Sequence, residues 1–198
     1  MYPESLKRLI ETFKYLPGIG EKTAERFAFS IFDLDDDQVE LFKDSLQDVK
    51  SKIHKCKKCN VLTENDLCSI CTDSFRNNKI LCVVEDVKSV FLFEKLGMFN
   101  GKYHVLDGLI SPLDGINPED IGINKLVDRI KDENYEEIIF AFKPSIEGET
   151  TSLYIKRVLD GLNIRFTRLA SGLPIGADME YVDSLTLERA INDRKEVS

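Results

Sequence analysis

Four cysteines within sixteen residues constrain this chain more than any other feature: they read Cys56-x2-Cys59-x8-Cys68-x2-Cys71. Each CxxC makes a tight turn that presents two thiolates to one ion. Two such pairs close a tetrahedral site with no open position, which is what structural zinc requires. The segment is also too short and polar to hold itself together without a staple. The alternatives are two redox pairs or four unrelated thiols. Five cysteines in all is an odd number, and in a reducing cytoplasm none is expected in a structural disulfide. His54 competes as a ligand, but a complete cysteine set leaves it no vacancy. Cys82 lies inside an apolar run and reads as a small core residue.

The 198 residues suit one large domain or two small ones, and an apolar share of 42% supports a real core. No apolar run approaches the ~20 residues of a membrane span. The opening MYPESLKRLIE lacks the apolar stretch of a signal peptide, so a cytoplasmic protein is expected. The net charge is −8, and a phosphate backbone repels an acidic protein. The distribution matters more than the sum. From Lys50 to Lys58 the chain reads KSKIHKCKK without an acid, whereas acid concentrates in Asp33–Asp37 and in the last hundred residues. Any nucleic-acid contact is therefore expected in the N-terminal third, with Lys50, Lys52, Lys55, Lys57 and Lys58 as candidates.

Leu6, Leu9, Ile10, Phe13 and Leu16 recur at helical spacing, so residues 4–15 read as an amphipathic helix. Pro17-Gly18-Ile19-Gly20 breaks it. A second helix carries Ala24, Phe27, Ala28 and Ile31 on one face. Asp35 or Asp36 can cap a third, with Val39, Phe42, Leu46, Val49 and Ile53 as its stripe. Beyond a boundary at 72–79, strands at Ile80–Val84, Tyr103–Leu106, Glu137–Phe142 and Ile164–Leu169 alternate with helices at 87–96, 123–132, 149–161 and 184–194. That alternation predicts a mixed α/β fold with a mostly parallel sheet and flanking helices.

Three further segments carry chemistry. In Leu16-Pro-Gly-Ile-Gly-Glu-Lys-Thr-Ala-Glu-Arg26 the glycines Gly18 and Gly20 let a backbone come close. The turn leaves free amides at the next helix N-terminus, a ready anion site. Lys22 and Arg26 share one helix face and can flank a DNA phosphate; the plainer reading is a helical hairpin with a charged exposed face. Glu85 follows the first strand, and Lys143-Pro-Ser-Ile-Glu-Gly-Glu149 follows the third, at the carboxyl ends where open α/β sheets build sites. Glu85, Glu147 and Glu149 can hold Mg2+, or the last two simply favour a helix N-terminus. Gly172–Asp183 is a Gly/Pro loop or a long connection.

The order LPGIGEKTAERFAF, CKKC-x8-CSIC, VVED, SPLDGI, SIEGE, GLPIGADMEYVD closely resembles the bacterial RecR family over essentially the whole chain. The resemblance implies a helix-hairpin-helix region at 1–55, a four-cysteine zinc finger at 56–72 binding one structural Zn2+, a Toprim-like α/β domain at 79–170, and an assembly segment at 171–198. It implies a DNA-binding recombination mediator, acting with RecO and RecF in recombinational DNA repair to load recombinase, as a homo-oligomeric dimer or tetramer ring. Catalytic Toprim enzymes carry Asp-x-Asp where this chain has Lys143 and Ser145, so no catalytic residue is expected. Glu85, Glu147 and Glu149 then form a patch for a protein partner. The alternative is an Mg2+-dependent Toprim nuclease or topoisomerase-like enzyme.

Overall fold

The computed structural model describes residues 2–170, 172–173 and 175–194. Parts of the expected assembly segment, residues 171, 174 and 195–198, lie outside the described residues. The chain forms two compact units, residues 1–53 and 54–198.

The first unit holds α1 (Glu4–Phe13), α2 (Glu21–Phe32) and α3 (Asp36–Lys52). Ile10, Ala24 and Ala28 are buried between α1 and α2, with Leu6, Leu9, Phe13 and Ile19 packed around them. The small side chains at 24 and 28 let the two helices approach closely. Gly18 sits at φ +82, a left-handed conformation that favours glycine. Asp35 caps α3 reciprocally with Gln38. The stripe expected on α3 exists as a pattern, but α3 buries none of its residues.

In the second unit a short hairpin, β1 (His54–Lys55) with β2 (Leu62–Thr63), precedes the small helix α4 (Ser69–Thr72). Then come β3 (Ile80–Val84), α5 (Val87–Leu96), β4 (Lys102–Val105), α6 (Ile123–Asp132), β5 (Glu137–Ala141), α7 (Ile146–Val158), β6 (Arg165–Arg168) and α8 (Ser184–Asn192). The last four strands form one parallel sheet in the order β4-β3-β5-β6. Side chains alternate across it with period two. Leu81 and Val83 join Ile138, Phe140 and residues of α6 and α7 in one core layer. Cys82 and Val84 join the other layer, with Tyr103, Val105 and Val90 of α5. The cysteine segment contributes Cys56, Cys59, Val61 and Ile70 to that second layer. It covers sheet surface there as a helix otherwise would.

The strand order places the site. From β3 the chain goes to β4 on one side, then crosses to β5 on the other. The space beyond the carboxyl ends of β3 and β5 is thus a topological switch point, where open α/β sheets form crevices.

One element starts earlier than its sequence pattern implies. Helix α7 begins at Ile146, not 149, because Ser145 caps it by accepting from the Gly148 amide at 3.2 Å.

Candidate functional site

The two CxxC turns converge on one point. The four Sγ atoms of Cys56, Cys59, Cys68 and Cys71 lie within 4.8 Å of one another. Cys59 and Cys68 are 3.4 Å apart, and Cys56 and Cys71 are 3.9 Å apart. A zinc ion ~2.3 Å from each of four tetrahedral sulfurs separates them by roughly 3.8 Å, so the cage fits the ion. The Cys68 amide donates to Cys56 Sγ at 3.3 Å. The hydrogen bond between Cys59 and Cys68 holds the Cys68 thiol well below the usual thiol range and pushes the Cys59 thiol up. Sulfurs this close carry their charge together only beside a cation. Among the described residues this is the one such group of cysteines, histidines and carboxylates. His54 is outside it. Cys82 is buried in β3, its thiol pushed up to about 12 by burial, as suits an inert core residue.

The zinc segment is fastened to β4, and none of the fasteners is evident in the sequence. Lys102 is buried, and its Nζ donates to the carbonyls of Ile70 at 2.8 Å, Asp73 at 2.7 Å and Cys71 at 3.4 Å. Burial pulls its pKa down, but the carbonyls lie at the C-terminal end of α4, where a cation is favoured. Asn60 adopts φ +63, which asparagine tolerates. Its Nδ2 donates to the Val105 carbonyl at 2.9 Å, and its Oδ1 accepts from Lys125 at 2.6 Å. The Val105 amide donates to Cys59 O at 2.9 Å. These bonds explain how an edge strand has all four residues buried. Behind β4, Arg129 donates to Tyr103 O at 2.7 Å and lies 3.3 Å from His104 Nδ1. His104 is driven down to about 3 by burial, then by Arg129 and Lys125, so it is neutral.

At the switch point lies an open cavity of about 510 Å3, lined by Glu85, Asp86, Asp107, Asp114, Lys143 and Glu147 among others. Glu85 accepts from the Lys143 amide at 3.2 Å, tying the ends of β3 and β5 together. The Ser145 hydroxyl keeps Glu147 below the usual carboxylate range. Glu149 is not in this cavity. Two residues along a helix turn about 200°, so it faces the other side of α7, where it pairs with Arg168. The early start of α7 thus separates Glu149 from Glu85 and Glu147. Asp107 and Asp114, on the loop after β4, supply acid that sequence reasoning passes over. Gly148 is required by space, because a Cβ there would collide with the Lys143 carbonyl.

In the first unit, α2 starts after Gly20 with no side-chain cap. A Cβ built on Gly20 meets nothing within 4 Å. Lys22 and Arg26 are exposed on α2; the Arg26 guanidinium lies 5.5 Å from the centre of the adjacent Phe27 ring. The Lys50–Lys58 run is less available than its composition implies. Lys52 pairs with Asp48, Lys55 with Asp107, Lys57 with Asp66 and Lys58 with Glu133. Lys50 is exposed without an ion pair among the described residues.

Models of the RecR helix-hairpin-helix, the RecR four-cysteine zinc finger domain, the Toprim domain and the RecR C-terminal region match residues 6–50, 53–73, 79–170 and 172–195. Over 196 residues the chain is 50% identical to a Recombination protein RecR of Staphylococcus haemolyticus, covering 99% of each. It is 47% identical to that of Natranaerobius thermophilus, covering 99% of this chain and 98% of the other. It is 48% identical to that of Staphylococcus aureus strain Mu3, covering 99% of each. The chain belongs to the RecR family. The four close cysteines fall within the match to the RecR four-cysteine zinc finger domain, and the residues of the acidic cavity fall within the Toprim match. No helix among the described residues is long and apolar enough to cross a membrane.

Proposed function

We propose that this chain is a non-catalytic recombination mediator that encircles DNA as a homo-oligomer and works with RecO and RecF. The uncapped start of α2 carries the DNA-binding reading. Free amides, an open Gly20 and two exposed cations stand together there, as a phosphate-contacting hairpin needs. Lys50 is a further exposed cation, on α3. With Lys52, Lys55, Lys57 and Lys58 each held in an ion pair, those lysines contribute to DNA binding only by exchanging partners. Substituting Lys22 and Arg26 together by alanine is expected to weaken DNA binding for all sequences alike and to lower the salt slope by about 2. An unchanged slope in a filter-binding titration would move the contact elsewhere.

The cavity of Glu85, Glu147 and the neighbouring aspartates is the proposed docking face for RecO. Glu149 belongs to it only from the far side of α7. Lys143 and Ser145 stand where a catalytic Toprim enzyme has two aspartates, so transferred phosphate has too little metal-bound charge to meet it. Glu85→Lys is expected to weaken RecO binding severalfold and leave DNA affinity unchanged. Mg2+-dependent strand cleavage that disappears in Glu85→Ala would establish an enzyme instead.

A further inference from the structure

Helix α5 presents an apolar and basic face to solvent. Val90 is fully buried on the sheet side. Lys88, Phe91, Leu92, Lys95 and Leu96 share the opposite face at helical spacing, and all five are exposed. Two more apolar side chains stand beside the helix's C-terminal end. Met98, just past the left-handed cap Gly97, is 88% exposed, and Phe75 is 92% exposed.

Phe75 is not on a loose loop. Its amide donates to Asp73 Oδ1 at 2.9 Å, and its carbonyl accepts from Asn100 Nδ2 at 3.5 Å. The next residue, Arg76, pairs with Glu94 of α5 and donates to Gly101 O at 3.1 Å. The Asn77 amide donates to Asn100 O at 2.7 Å. The backbone is tied on both sides while the ring stands in water, an arrangement without stabilising return inside the chain. A cluster of exposed aromatic, Met and Leu side chains marks an interaction surface.

We propose that this face of α5, with Phe75 and Met98, docks an acidic peptide segment that carries large apolar side chains. Charge selects the occupant. Lys88 and Lys95 make no ion pair among the described residues, while the nearby Glu94 carboxylate is taken by Arg76. The face is therefore locally positive on a chain of net charge −8. A two-fold contact with a second copy sets these lysines against each other, which costs free energy. DNA and anionic lipid surfaces call for denser positive charge than two lysines among five apolar side chains provide. An acidic amphipathic segment meets both demands, with apolar groups along the Leu92–Leu96 row and carboxylates on the lysines. None of the residues assigned above to zinc, DNA or RecO takes part.

The test is fluorescence anisotropy with a labelled dodecapeptide of glutamate, aspartate, leucine and phenylalanine, beside a counterpart with lysine at every acidic position. The full-length zinc-loaded protein is expected to bind the acidic peptide and not the basic one, more weakly as salt rises. Phe75→Ser and Leu92→Ser, both at exposed positions that leave the core intact, are each expected to weaken binding about tenfold or more. Lys95→Glu, which leaves one charge of each sign on the face, is expected to abolish the preference between the two peptides. Equal binding by wild type and the Phe75→Ser/Leu92→Ser double variant overturns the proposal. So does a loss of oligomer mass in that variant, which assigns the face to a second copy. A loss of DNA or anionic-vesicle binding in it overturns the proposal as well.

Discussion

A single buried histidine gives this protein a built-in response to acid. His104, a fully buried residue of β4 beside Arg129, is poorly placed to carry a proton, because burial and the neighbouring cation both disfavour the charged ring. Its pKa falls from the ordinary 6.5 to about 3 in the folded chain. The unfolded chain therefore binds the extra proton between those values. Stability from this group is complete above pH 6.5 and is lost as pH falls through that window. Urea titrations at pH 7 and pH 5 are expected to show wild type losing about 2 kcal/mol more than His104→Gln. Equal losses in the two proteins would exclude His104 as the source. Nothing in the local sequence marks this group, because its partner Arg129 is 25 residues away and on another element.

At the scale of elements, zinc and β4 stand or fall together. Removing zinc frees the two CxxC turns, and Lys102 then keeps its charge in a buried place without fixed carbonyls. Lys102→Met is expected to cost about 2–4 kcal/mol, since three carbonyls lose a charged donor. It is also expected to speed zinc release to a chelator, read by a colorimetric zinc dye. A release rate equal to that of wild type would show that the lysine merely fills space. The zinc ligands are legible from spacing alone, as are the apolar runs of the sheet. The lysine is not, because its three acceptors are backbone groups about thirty residues away. The start of α7 escapes a pattern reading for a local reason. Its first turn is rich in acid and glycine, which reads as loop until Ser145 is recognised as the cap.

At the scale of the whole molecule, α3 is the element that cannot stand alone. In proteins most helical stability comes from packing an apolar face, yet Phe42, Leu46 and Val49 are exposed along one stripe of α3. The stripe is readable in the sequence, and on the clamp proposed above a second copy is expected to cover it. We expect Phe42→Asp with Leu46→Asp to reduce the solution mass measured by light scattering, while the α1–α2 core stays folded by circular dichroism. An unchanged oligomer mass would place the self-contact elsewhere. Retention on DNA is expected to drop with the mass, since several weak contacts act together only while the copies stay joined.

The Lys102 clamp also bears on how such chains diverge. A buried ammonium is tolerable only while α4 holds its carbonyls in place, and α4 is held by the metal. A descendant that loses a zinc cysteine inherits an unpaired internal charge. The expected second step is replacement of Lys102 by an apolar residue. The order matters, because the apolar replacement costs far less once the cage has gone than before. Position 102 is thus expected to covary with the four cysteines, although it touches no metal.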